Sequence, residues 1–164
     1  MSELDDVERD TIAAARRLGE PCEVLECDPE YADTAAYCER YGFELETAAN
    51  TIIVASPKEP RVFAACVVLA TTKLDVNRTV RKLFNAARMS FASAEDMIRL
   101  TGMRVGGVTV FGLPADLPLL IDSRVMSVPA IIVGSGGRHA KIKIAPQALL
   151  KLPNARVVQD LAKA

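Results

Sequence analysis

The sequence predicts an α+β fold: a mixed sheet with antiparallel hairpins, flanked by helices. Three observations carry this expectation. Short β-rich runs recur along the chain, helical periodicity is confined to separate segments between them, and the order of elements is too irregular for a repeating βαβ unit. The last point excludes a regular dinucleotide-binding fold. At 164 residues the chain fits one domain, 1–164, able to bury roughly 70% of the surface its unfolded form exposes.

Taken in order, Asp5 or Asp6 opens an amphipathic helix through Val7, Thr11, Ala14, Ala15 and Leu18, which Gly19 and Pro21 stop. Cys22 to Cys27 alternates apolar and acidic residues and reads as a strand with one wet face. Asp28-Pro29 starts a second helix through Tyr41, closed by Gly42. Thr51–Ala55 and Val62–Leu69, separated by the turn Ser56-Pro57-Lys58-Glu59-Pro60, form an antiparallel hairpin near the sheet centre. Asp75 caps a third helix from Val76 to Ala86, and Ser93 with Asp96 reads as a capping box opening a fourth helix to Leu100. Leu119–Asp122 and Ala130–Val133 read as buried strands, Lys141–Ile144 as a half-exposed one, and Gly134–Arg138 as a hairpin turn. Pro146 begins a short helix to Leu150, and Arg156–Val158 supplies a last strand.

Between the fourth helix and the strand at Leu119 lies the stretch Arg99–Leu113, in which Gly102, Gly106, Gly107 and Gly112 place four of the nine glycines within eleven residues. Interleaved with Val105, Val108, Val110 and Phe111, they describe an apolar-walled loop with bare backbone inside it. Main-chain amides in such a loop suit a small polar group. The turn at Gly134 lacks the Lys-Ser/Thr ending of a phosphate loop, which excludes a nucleotide-triphosphatase reading.

Net charge is −1, yet residues 1–48 carry −10 and residues 49–164 carry +9. The second part can face phosphates, through Arg78, Arg81, Lys82 and Arg88 or through Arg138, His139, Lys141 and Lys143, or can pair with the acidic first part. No tryptophan is present, so no stacking platform for single strands is evident. No apolar run reaches a membrane span and the acidic start lacks a signal peptide's core, so a cytoplasmic protein without membrane contact is expected. Cys22, Cys27, Cys38 and Cys66 have no CxxC spacing and His139 is the only histidine; reduced, mostly core thiols are expected, with no metal and no cofactor.

Asn50-Thr51-Ile52-Ile53-Val54, Leu74-Asp75, Thr101-Gly102, Gly106-Gly107-Val108-Thr109-Val110-Phe111-Gly112, Ile121-Asp122, Gly136, and Pro146 with Leu149 follow in an order that resembles the YbaK/ProX family. This family includes the editing insertion domain of bacterial prolyl-tRNA synthetases. The likeness covers nearly the whole chain, and the fold it implies is a curved, mixed, largely antiparallel sheet that approaches a barrel, flanked by helices. It implies a deacylase that hydrolyses mischarged tRNA in trans, with alanyl- or cysteinyl-tRNA(Pro) as the usual substrate class. The implied partners are the aminoacylated tRNA 3′ end and an aminoacyl-tRNA synthetase.

Physical reasoning agrees with that chemistry. One methylene is worth about 1–3 kcal/mol in a binding site, so a synthetase needs a second sieve to remove close analogues. Ester hydrolysis needs an oxyanion held by amides, for which Gly106 and Gly107 are the candidate donors, with Asn50 as the third candidate catalytic residue. Thr51, Ile52, Val108, Thr109, Val110, Phe111 and Gly112 are the expected substrate-binding residues, joined by Gly136 and Arg138. Asp122 either orients the pocket or ends a strand; His139 is either a base or phosphate contact or a surface residue. No Ser-His-Asp or Cys-His set is visible, which argues against covalent catalysis.

Two positions depart from the family pattern. Asn50 stands where the family has a lysine, and Val110 where its Gly-x-x-x-Pro loop ends in proline. Lys73 or Arg138 are candidates to replace the missing cation. The alternative is a homologue that binds tRNA 3′ ends, a synthetase or an aminoacyl ligand without cutting.

Overall fold

The structure, a computed structural model, describes residues 3–164. Helix α1 (Asp6–Arg16) is capped by Asp5, whose carboxylate accepts from Glu8 N–H while the Glu8 side chain accepts from Asp5 N–H. Strand β1 (Cys22–Glu26), a short 3₁₀ turn (Pro29–Tyr31) and α2 (Thr34–Tyr41) follow, and α2 ends at Gly42 as expected. The predicted hairpin forms as β2 (Ala49–Ala55) and β3 (Phe63–Leu69), with Asn50 opposite Val68 and Thr51 opposite Val67.

The third helix is shorter than its sequence suggests. Asp75 makes no capping bond; its carboxylate accepts from Thr79 Oγ1 at 3.0 Å and pairs with Lys163 Nζ at 3.7 Å, beside the small β4 (Lys73–Leu74). A π turn (Val76–Val80) and a single α turn, α3 (Arg81–Leu83), result, before Asn85 leaves helical angles at φ 49°. After β5 (Ser90–Phe91), α4 (Ala94–Thr101) opens on Ser93, which accepts from Asp96 N–H. The reciprocal half of the box is missing, because the Asp96 carboxylate turns to Arg61 and Arg99.

The remaining strands are β6 (Leu119–Asp122), β7 (Ile131–Gly134), β8 (Ala140–Ile144), β9 (Ala155–Val158) and β10 (Ala162–Lys163). One sheet has the order β5-β2-β3-β6-β9, antiparallel around β2 and parallel through β3, β6 and β9. A second, antiparallel sheet has the order β1-β8-β7, and β10 pairs with β4. The two larger sheets meet at a single parallel bridge, Ala48 to Ile132, so the sheet curves but does not close.

Strand β3 is covered on both faces, which explains its unbroken apolar run. Ala65, Val67 and Leu69 join the main core with Phe111, Ile121, Ile131 and Ile142, whereas Ala64, Cys66 and Val68 pack beneath the π turn and the C-terminal strands. A third cluster, Cys27, Ala32, Tyr37 and Ile132, fills the space beside the bridge between the sheets. The cysteines are all free, and Cys27, Cys38 and Cys66 are buried. Strand β8 is more buried than its alternation suggests: Lys141 is only 5% exposed.

Candidate active site

A cavity of about 290 Å³ opens at the seam between the two sheets. The start of β2 supplies Asn50, Thr51 and Ile52, β7 supplies Ile132 to Gly134, α2 supplies Thr34, Tyr37 and Cys38, and the glycine loop brings in Gly106 and Val108. Two segments more than fifty residues apart in sequence therefore share one space. Asp33 and Gly106 stand at its exposed end; Tyr37, Cys38 and Lys141 are its buried end.

The glycine loop owes its place to backbone packing. Gly106 adopts φ 83°, a left-handed conformation that a side chain would strain. Gly107 lies so close to the next turn that a Cβ there would collide with the backbone of Gly137. Gly136 N–H donates to Gly107 O at 2.6 Å and Arg104 N–H to Gly136 O at 3.0 Å, which locks loop and turn together. Gly107 N–H is spent on Arg104 O at 3.0 Å, so the expected pair of amide donors is reduced to Gly106, whose N–H meets no acceptor among the described residues.

Asn50 has a neighbour that the sequence did not disclose. Thr34 Oγ1 donates to Asn50 Oδ1 at 2.7 Å, and Nδ2 meets no acceptor among the described residues. Thr51 Oγ1 is buried without a hydrogen-bond partner in the same wall. The Cys38 thiol is pushed above its ordinary pKa, chiefly by burial, and so remains protonated at neutral pH.

Several expected site residues lie elsewhere. Val110 and Phe111 are in the main core, and Thr109 is buried outside the cavity lining, with its N–H directed to Met103 Sδ. Gly112 and Gly136 both pack against Thr11 of α1. Asp122 is buried at the end of β6, 3.4 Å from Arg124 and accepting from Ala162 N–H, outside the cavity lining. These side chains hold the fold: the loop's apolar residues turn inward because the core, rather than the cavity, is the larger apolar space.

Arg138 and His139 lie outside the cavity lining and brace the segments around it. The Arg138 guanidinium donates to Pro29 O and Val105 O and lies 3.5 Å from Asp33 Oδ1. His139 Nδ1 is 3.0 Å from Glu8 Oε1, and its N–H donates to Glu8 Oε2. Glu8 is fully buried and also accepts from Ser135 Oγ at 2.6 Å. Asp5, Glu8 and His139 lie close enough to share a metal ion, but Arg104 donates to Asp5 and three other donors fill Glu8, so the trio is a latch between α1 and the turn.

Lys73 lies outside the lining, on β4, and the cation that does line the cavity is Lys141. Alternation with Ile142 and Ile144 suggested a solvated lysine. No local signal marks it: its cross-strand partner Gly134 makes room for the glycine loop, since a Cβ there would lie 2.7 Å from the carbonyl oxygens of Gly107 and Val108.

Residues 28–152 match the model of the aminoacyl-tRNA editing domain. The chain belongs to this family. The editing domain is 24% identical over 134 residues to EbsC of Enterococcus faecalis, to which Cys-tRNA(Pro)/Cys-tRNA(Cys) deacylase activity is ascribed; the match covers 82% of this chain and 80% of that protein. A solved structure described as a trans-editing enzyme for prolyl-tRNA synthetase superposes with a TM-score of 0.83 at 21% identity over 99% of both chains. A second, of a hypothetical protein, superposes at 0.82 with 21% identity over 94% of this editing domain and 99% of that chain. No helix among its described residues is long and apolar enough to cross a membrane.

Proposed function

We infer that this editing domain is an aminoacyl-tRNA deacylase that hydrolyses mischarged tRNA in trans, of the cysteinyl- or alanyl-tRNA(Pro) type. The observation that carries the reading is the convergence of Asn50 and Gly106 on one small cavity, each with an unused N–H donor. Water attacks the ester carbonyl carbon, and the negative charge that develops on the carbonyl oxygen is held by Gly106 N–H and Asn50 Nδ2. The bond to the ribose oxygen then breaks, that oxygen takes a proton, and the free amino acid leaves. Donors placed for a developing oxyanion are worth about 10²–10³ in rate each, without a nucleophilic side chain. The volume, near the lower limit of roughly 300–1,000 Å³ usual for ligand sites, suits a short aminoacyl group.

Deacylation of a panel of mischarged tRNAs tests this reading, with cysteinyl- and alanyl-tRNA(Pro) first. Release of amino acid above the buffer rate is expected; its absence for every pair removes the enzyme. A second reading, a binder of the charged 3′ end, is favoured by the neutral Asn50 at the family's lysine position. If the native chain is silent in the panel and Asn50→Lys gains turnover, that second reading holds.

A further inference from the structure

The buried end of the cavity holds an amine that the protein satisfies only in part. Lys141 is almost completely enclosed, and its Nζ donates to Ala32 O at 2.6 Å while standing 5.6 Å from the centre of the Tyr37 ring. An ammonium has three donors. No ion-pair partner and no second acceptor is present for it among the described residues. Burial lowers the pKa of this lysine below its ordinary value, so an acceptor or anion brought into the cavity restores what the protein withholds. Thr51 Oγ1, also buried and unpartnered, lies in the same lining.

We propose that Lys141 is a specificity-determining residue: it selects aminoacyl groups whose short side chain carries a hydrogen-bond acceptor, such as seryl, cysteinyl or aspartyl, over alanyl. This rests on the deacylase reading and narrows its substrate class. The opening and the buried end divide the labour. Gly106 and Asn50, exposed and half-buried, are placed for the ester; Lys141, with Tyr37 and Cys38 beside it, is placed for what the aminoacyl group sends inward. A site that aims buried donors at a substrate group rejects the analogue lacking it far more strongly than an apolar pocket rejects a methylene.

The test uses non-hydrolysable 3′-amide analogues of aminoacyl-adenosine, titrated calorimetrically into the intact protein, beside deacylation of the corresponding tRNAs. Seryl, cysteinyl and aspartyl analogues are expected to bind at least about tenfold more tightly than the alanyl one. Lys141→Met should abolish the difference, and Lys141→Gln, which keeps a donor without charge, should retain part of it for seryl and lose it for aspartyl. Equal affinities in the native protein, failure of every analogue to bind, or a preference unchanged in both variants overturns the assignment. Should Lys141→Met fail to fold, the native comparison and Lys141→Gln still decide. Hydrolysis of all esters without preference defeats only this inference, whereas hydrolysis of none defeats the deacylase itself.

Discussion

The amide of Asn50 shows how much one residue's chemistry depends on its neighbour. The Thr34 hydroxyl occupies the carbonyl oxygen of the carboxamide, which leaves its amino end as the one that can donate into the cavity. Asn50→Asp keeps the shape and removes the donor; kcat should fall by about 10²–10³ with KM changed far less, measured by single-turnover deacylation. Gly107 is the opposite case, a residue whose only virtue is having no side chain. Gly107→Ala forces the loop off Gly137 and should cost about 1–3 kcal/mol, read from denaturant midpoints. Gly106 and Asn50 were legible as candidates because both stand at motif positions of the family resemblance, and both line the cavity. Lys141 was not, since a lysine two positions from another on an alternating strand reads as solvated, and only the tertiary enclosure by α2 contradicts it.

At the scale of elements, α1 acts on the site without touching it. Glu8 joins the helix to the turn at Ser135–His139, that turn packs backbone to backbone on Gly107, and Gly106 follows. Glu8→Ala leaves buried donors unpaired; a loss of about 3 kcal/mol or more of stability is expected, with a drop in kcat at temperatures where the variant remains folded. The Asp5 carboxyl belongs to the same latch. Burial opposes its ionisation, but the hydrogen bonds from Arg104 and Glu8 N–H prevail, so its folded pKa lies below the ordinary 3.8. Its stabilising contribution is therefore present above that value and lost as pH falls through the lower, folded one. Arg104→Ala should flatten this acid limb of the unfolding profile. The sequence showed α1 and the turn as separate elements; the buried carboxylate joining them escaped notice because a glutamate in a first helical turn has an ordinary explanation in the helix dipole.

For the molecule as a whole, the order of elements along the chain and the β2–β3 hairpin were readable, because β3 and the first three residues of β6 are apolar and turn residues punctuate the rest, whereas the parallel pairing through β3, β6 and β9 was not. The curvature was legible only through the family resemblance, and the seam was not legible at all: a single bridge between Ala48 and Ile132 leaves no periodic signature. Lys141, enclosed where the sheets meet, contributes to global stability in a pH-dependent way. With a folded pKa below the ordinary 10.5, the folded state releases its proton first, so stability gains from this group as pH rises through the folded value toward 10.5. The stability difference between the native protein and Lys141→Met should shift in favour of the native protein across that window, measured by chemical unfolding at neutral and alkaline pH.

Because the seam is so slight, the two walls of the cavity rest on different foundations. The atoms assigned to bond breaking come from the β2 edge and the glycine loop; the lysine assigned to recognition comes from the smaller antiparallel sheet. Exchanges beside Lys141 on β8, clear of Gly134 and of the turn that seats the glycine loop, can therefore retune which error is removed while the hydrolytic apparatus stays intact, and a lineage can acquire new proofreading targets by altering that stretch alone.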